Sequence, residues 1–198
     1  LILNTKVASA CFLIILLLAG QNFAQNKTGT TIGQFLKIEP SSRIVGLGNA
    51  GASLSGEISS VFYNPASLGR LQGTDIQFTF NKWLADITYN YMAAGINVEG
   101  IGTFALVGTL LNSGEMDVRT VENPLGTGEK FTVKNLALGL GYGLMLTDRV
   151  SVGMQINYIN EEIWHSSLST FGLNFGVQYQ VVEGGLTLGA SVSTFGTT

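Results

Sequence analysis

The hydrophobic positions of this chain recur with a period of two. "LALGLGYGLML" (136–146) sets Leu136, Leu138, Leu140, Tyr142, Leu144 and Leu146 on one face of an extended strand, and Ala137, Gly139, Gly141 and Gly143 on the other. "SVGMQINYI" opposes Val152, Met154, Ile156 and Tyr158 to Gly153, Gln155 and Asn157. In "FGLNFGVQYQV" the same alternation opposes Phe171, Leu173, Phe175, Val177, Tyr179 and Val181 to Gly172, Asn174, Gly176, Gln178 and Gln180. "DIQFTFN" and "LTLGASV" continue it. Successive strand side chains point to opposite faces, so this pattern predicts strands with two chemically different sides. Seven are expected, over 74–83, 86–98, 101–112, 131–147, 149–162, 168–182 and 185–196. Short turns fall at Glu99-Gly100, Thr147-Asp148-Arg149 and Glu183-Gly184. At the opposite strand ends lie a short Trp83–Asp86 link, a long loop over 113–130 and a medium one over 162–168.

A soluble sandwich alternates too, so the chemistry of the polar face decides. Solvent-facing strand positions normally carry Lys, Glu and Arg; here they carry Gly, Asn, Gln, Ser and Thr. No Asp, Glu, Lys or Arg occurs over 100–114, 135–147 or 163–182. A charge on the lipid face of a barrel costs about 2–4 kcal/mol at mid-bilayer, which excludes it there. The large apolar face suits lipid and the small polar face suits a crowded or hydrated lumen. A transmembrane helix over 163–182 is disfavoured by its scattered His, Asn and Gln. The expected class is therefore an all-β transmembrane protein, an antiparallel outer-membrane barrel with short turns on one side and longer loops on the other. Trp83 and Trp164 fall at the loop-side strand ends, where an interfacial aromatic belt would sit.

The N-terminus agrees with export. In "LILNTKVASACFLIILLLAGQNFAQ", Lys6 precedes an uncharged apolar run, Val7 to Ala19, and small and polar residues lead to Ala24. This is the layout of a cleaved signal peptide, residues 1–24. The run, roughly 13 residues, is too short to span a bilayer as a helix. Cys11 is the only cysteine and lies inside it, so the exported chain has no disulfide framework and no cysteine metal site. Charged residues are only 12% of the chain, about half the usual share, and the net charge of −3 gives no electrostatic basis for nucleic-acid binding.

Residues 32–71 break the alternation. They hold Gly46-Leu47-Gly48-Asn49-Ala50-Gly51, a formal match to the G-x-G-x-x-G dinucleotide fingerprint. That mechanism needs a buried parallel strand before the glycines and a long helix after them. Neither is expected here. The stretch is rich in small residues and suits packing inside something larger. Phe35-Leu36, Ile38, Pro40, Ser42-Arg43, Gly46, Gly48, Ala50-Gly51 and then Tyr63-Asn64-Pro65-Ala66 resemble the N-terminal signature of the PorV/PorQ family. That family is a branch of the FadL-like outer-membrane barrels. The resemblance covers this segment closely and the following strands more loosely.

The resemblance implies a hatch, residues 25–72, folded inside a lumen of about fourteen strands, with barrel strands over 73–198. Gly46, Gly48 and Gly51 would then let the hatch backbone turn and approach the wall, Arg43 would pair with a carboxylate or carbonyl in the lumen, and Asn64-Pro65-Ala66 would make a turn that holds the hatch in place. Gln77, Thr79, Asn81, Gln155, Asn157, Asn174 and Gln178 are the candidate lumen lining. No cofactor or metal is implied. Seven strands are half of such a barrel, and the chain starts at Leu1 and ends "STFGTT" without a terminal aromatic residue. The expectation is a signal, a hatch and the first half of a barrel; a complete eight-stranded barrel using 32–38 is the alternative.

By resemblance the function is non-enzymatic: an accessory role in type IX secretion or surface anchoring, with outer-membrane lipid, secretion components or exported cargo as partners. A FadL-type channel for hydrophobic small molecules, such as long-chain fatty acids, is the alternative. The 113–130 loop, with four acids against two bases, is a candidate for recognising a basic partner or a divalent cation outside the cell. A remote third reading is a lipid hydrolase built on "NEEIWHSS" (Glu161, Glu162, His165, Ser166, Ser167). Neighbouring strand residues point apart, which places His165 and Ser166 poorly for sharing a proton.

Overall fold

The computed structural model describes residues 32–182 and 184–196. The expected signal segment, Cys11 and residues 25–31 lie outside the described residues, as do Glu183, Thr197 and Thr198. Among the described residues nine strands form: β1 (Thr74–Lys82), β2 (Thr88–Val98), β3 (Gly102–Asn112), β4 (Met116–Asp117), β5 (Lys130–Phe131), β6 (Val133–Met145), β7 (Val150–Ile163), β8 (Ser166–Gln180) and β9 (Thr187–Gly196). Seven of them build one antiparallel sheet in the order β1-β2-β3-β6-β7-β8-β9, and β4–β5 is a separate two-residue ribbon. The sheet is open, with β1 and β9 at its edges. No helix among the described residues is long and apolar enough to cross a membrane.

The register explains why alternation fixes this sheet. Ile76, Ala94, Leu106, Leu140, Ile156, Leu173 and Phe195 are successive cross-strand partners, forming one apolar row across every strand. Slipping any strand by one residue would throw its large side chains onto the opposite face. This outer face stays uncovered; Phe78, for example, is 74% exposed. In the seven-stranded sheet, charged residues are confined to strand ends: Asp75 at one rim, and Lys82, Lys134, Glu161 and Glu162 at the rim where the loops emerge.

Two connections differ from expectation. The medium loop over 162–168 is instead a two-residue turn, because Ser166 and Ser167 pair with Ile163 and Glu162 and extend β8 backwards. Trp164 takes the left-handed conformation (φ 56°) that such a tight reversal demands. The long loop folds back on itself as the β4–β5 ribbon. Loop-length asymmetry therefore rests on 113–132 alone.

The hydrophobic core lies on the inner face, between the sheet and residues 32–71. The segment contributes Phe35, Ile58, Val61, Leu68 and Leu71, and the wall contributes Tyr89, Tyr91, Val107, Leu111 and Ile159 with several alanines. Burying each large apolar side chain stabilises by about 1.5–3 kcal/mol, so this contact anchors the segment. The inner face is not uniformly small and polar as the alternation implied. β2 and β3 present aromatic and aliphatic groups, while β6 to β9 present mainly glycine, amides and hydroxyls.

Candidate functional site: the segment held on the inner wall

The segment consists of short turns. A 3-10 turn spans Gln34–Lys37, a one-turn helix α1 spans Ser42–Gly46, and two further 3-10 turns span Ile58–Phe62 and Pro65–Arg70. Asn64 caps the last of these: its Oδ1 accepts the Ala66 N–H at 2.9 Å, and Pro65 occupies the first position, where its missing N–H costs nothing. The Asn64 Nδ2 donates to the carbonyls of Ala52 (2.7 Å), Val177 (3.2 Å) and Ala190 (3.3 Å). One fully buried amide thus ties the segment to itself, to β8 and to β9. Asn64-Pro65-Ala66 is a turn as expected; its reach across two strands is additional.

Close approach is made possible by the wall's glycines. A Cβ at Gly153 would overlap the Pro65 carbonyl, one at Gly176 the Asn64 amide, and one at Gly189 the Ala52 carbonyl. A side chain at any of these positions would lift the segment off the sheet. The expected role of the segment's own glycines needs correction. Gly46 ends α1 with open space around it, Gly48 turns the chain in the left-handed region (φ 66°), and Gly51 packs under the Tyr63 ring. Gly48 makes a turn as expected, but a Cβ at Gly46 or Gly48 would meet nothing within 4 Å, and one at Gly51 would meet Tyr63 first. The helix also precedes these glycines rather than following them, the reverse of a dinucleotide cradle.

The polar wall residues divide by task. Gln178 is buried and donates to the Ala52 and Leu54 carbonyls at 3.0 and 2.9 Å. Thr79 donates to the Pro40 carbonyl (3.1 Å), and Gln77 donates to Thr79 (3.3 Å). Together with Asn81, these two line a cavity of about 940 Å³ along the β1 edge, bounded on the other side by 37–45. Gln155 donates to Asn157 at 2.6 Å, and the Asn174 Oδ1 accepts the Thr194 N–H at 2.7 Å. These three amides line a second cavity of about 430 Å³, closed by Leu36, Phe62 and Tyr63. Arg43 pairs with a carboxylate, Glu57, at 2.9 Å, on the exposed surface of the segment.

Several anchors have no local sequence signal. Arg70 donates to Gln180 Oε1 (2.9 Å) and to the Arg149 carbonyl (2.8 Å). Asp75 accepts the Ile58 N–H at 2.8 Å, and the Tyr89 hydroxyl donates to the Ile38 carbonyl at 2.8 Å. The Tyr63 hydroxyl donates to Glu39 (3.2 Å); burial first, and the neighbouring carboxylate second, push that phenol well above its ordinary range.

Of the groups of the hydrolase reading, Glu162 and Ser167 are cross-strand partners. Glu161 accepts the Gly33 N–H at 2.7 Å, while the His165 ring stacks on Trp164 with centroids 4.8 Å apart. Trp83 and Trp164 both sit half exposed at the loop-side rim. Among the described residues, the arrangement offers a held segment, two cavities beside it and a bare apolar outer face. No protein-family model matches the chain, and comparison with curated proteins finds no match either.

Proposed function

We propose that the chain forms wall and lumen hatch of an outer-membrane β-barrel of the PorV/PorQ branch of FadL-like proteins, acting without chemistry in type IX secretion or surface anchoring. The two-faced sheet carries this reading. Its outer face is large, apolar and free of charge between the rims, while its inner face is joined to a compact N-terminal segment by buried hydrogen bonds. A bilayer is the environment in which such an outer face is stable uncovered. The two tryptophans on one rim support a membrane–water boundary at that level.

In lipid, the free edges of β1 and β9 have to be paired. The sheet has seven antiparallel strands, so β1 and β9 run in the same direction. Antiparallel closure then takes an odd number of further strands, and a barrel of about fourteen satisfies this. Rotating a second copy about the barrel axis would set β9 parallel to β1 and does not.

The second reading, a passive channel for hydrophobic molecules, is favoured by the two cavities flanking the segment. A strain lacking the chain separates the two. The secretion reading expects exported surface proteins to build up in the periplasm with fatty-acid uptake unchanged; the channel reading expects the reverse. Recovery of the chain in the soluble fraction without detergent would end both.

A further inference from the structure

We infer that the 113–132 hairpin is a docking finger for a protein partner that offers an apolar socket bordered by lysine or arginine. Nearly all large apolar side chains left exposed belong to the outer sheet face or the rims, where lipid accounts for them. Val45 and Leu47 in the segment, about half exposed, do not, and neither do Val121 and Leu125, which are far more exposed. They are 101% and 94% exposed at the tip of the hairpin.

The tip is built rather than slack. At its base, Ser113 N–H donates to the Val133 carbonyl (3.0 Å) and Val133 N–H to the Ser113 hydroxyl (2.9 Å). Above the β4–β5 ribbon, Val118 N–H donates to the Glu129 carbonyl (2.9 Å) and Thr127 N–H to the Val118 carbonyl (2.8 Å). The turn itself is closed by Asn123 N–H to the Thr120 hydroxyl (3.1 Å) and Gly126 N–H to the Asn123 carbonyl (3.1 Å). These bonds close the turn that carries the two aliphatic side chains at its tip.

Charge selects the occupant. Glu115 and Lys130 pair at 2.8 Å in the stem, between the strand ends and the tip. An exposed ion pair there places the tip on the aqueous side of the rim, away from hydrocarbon. With that pair neutralised, Asp117, Glu122 and Glu129 outnumber Arg119, giving the tip an acidic collar. An acidic collar repels an anionic membrane surface and favours a basic rim around an apolar socket.

The inference rests on the barrel reading above, and its test keeps the two apart. Cells carrying the full chain are compared with cells lacking it, and with Val121→Ser/Leu125→Ser and Glu122→Lys variants. The fraction of exported proteins reaching the surface is scored, with heat-modifiable mobility of the variants as the check on assembly. The expected result is at least a tenfold loss with the double variant and a severalfold loss with Glu122→Lys, both assembling normally. If deletion has no effect, the secretion reading falls. If deletion abolishes display and the assembled double variant does not, the docking finger falls and the secretion reading stands. Binding of the purified wild type, but not the double variant, to phosphatidylglycerol vesicles would overturn a protein partner in favour of a membrane.

Discussion

Two stretches of the N-terminal segment, 58–71 and 42–51, share a small-residue composition and differ in almost every physical respect. The first is buried: Ile58, Val61, Asn64, Ala66 and Leu68 are essentially inaccessible, and wall glycines receive its backbone. The second buries Ile44 and Gly51, while Val45 and Leu47 are about half exposed. Its one ion pair, Arg43 to Glu57, stays within the segment. Glycine therefore does opposite things in the same neighbourhood. On the wall at Gly153 and Gly176 it is a contact surface, whereas at Gly46 it is merely absence of a side chain. The comparison identifies 58–71 as the part of the segment held by the sheet and 42–51 as its more exposed part.

The largest predicted effect tests the held part through the wall. Gly176→Val and Gly153→Val each set a side chain against a cap or a carbonyl that cannot withdraw. Overpacking of this kind costs about 1–3 kcal/mol and occasionally more. The temperature at which the detergent-solubilised protein loses its compact gel mobility should fall sharply, or assembly should fail. Unchanged mobility would show that the segment does not rest on these glycines.

Asn64→Ala comes next. It deletes the helical cap and the donor to three carbonyls, two of them on separate strands. Losing a buried hydrogen-bonding partner costs about 1–3 kcal/mol. The Ala52 carbonyl keeps Gln178 as a donor, so the loss should be smaller for the Ala52 contact than for those to β8 and β9. Asn64→Asp should be no better, since a carboxylate can cap but cannot donate.

The more exposed part should respond weakly. Gly46→Ala lies in open space inside α1 and should be neutral or stabilising by about 0.5–1 kcal/mol. Gly48→Ala must adopt a left-handed conformation and should cost about 1–2 kcal/mol, so the pair of variants separates turn chemistry from wall contact.

The strands were legible because large apolar residues alternate with small or polar ones, a signal repeated many times along each strand. Every observed boundary lies near its expected one, and the misplaced β7–β8 loop arose from reading Ser166-Ser167 as loop when they pair as strand. The segment was legible only in kind. Small residues announced tight packing, and the Asn-Pro-Ala triplet announced a turn. That the Asn64 amide reaches Val177 and Ala190, far away in sequence, has no local pattern to betray it. Nor could composition assign the contact glycines to the wall rather than to the glycine-rich stretch, because the same residue serves a turn, an open surface and a van der Waals contact. The inward Tyr89 and Tyr91 were similarly hidden, since "TYNYM" alternates without declaring which of its faces is buried.

The smallest effect belongs to the Glu115–Lys130 pair, and its sign can be worked out. The hydrogen bond from Lys130, and then its charge, hold the Glu115 carboxyl below its ordinary range and raise the Lys130 ammonium. A carboxyl depressed in the folded hairpin contributes to its order above the unfolded titration range, and that contribution is lost as pH falls through the folded value. Both groups are fully exposed, so the contribution is screened by salt and the sheet as a whole should not notice. NMR titration of the Glu115 side chain should show a midpoint below that of an isolated glutamate, returning to normal in Lys130→Met. Order at the tip should depend little on it, because the Thr120–Asn123 and Val118–Thr127 bonds carry no charge. If acidification or Lys130→Met instead disordered the turn that carries Val121 and Leu125, the stem pair would be what presents the tip.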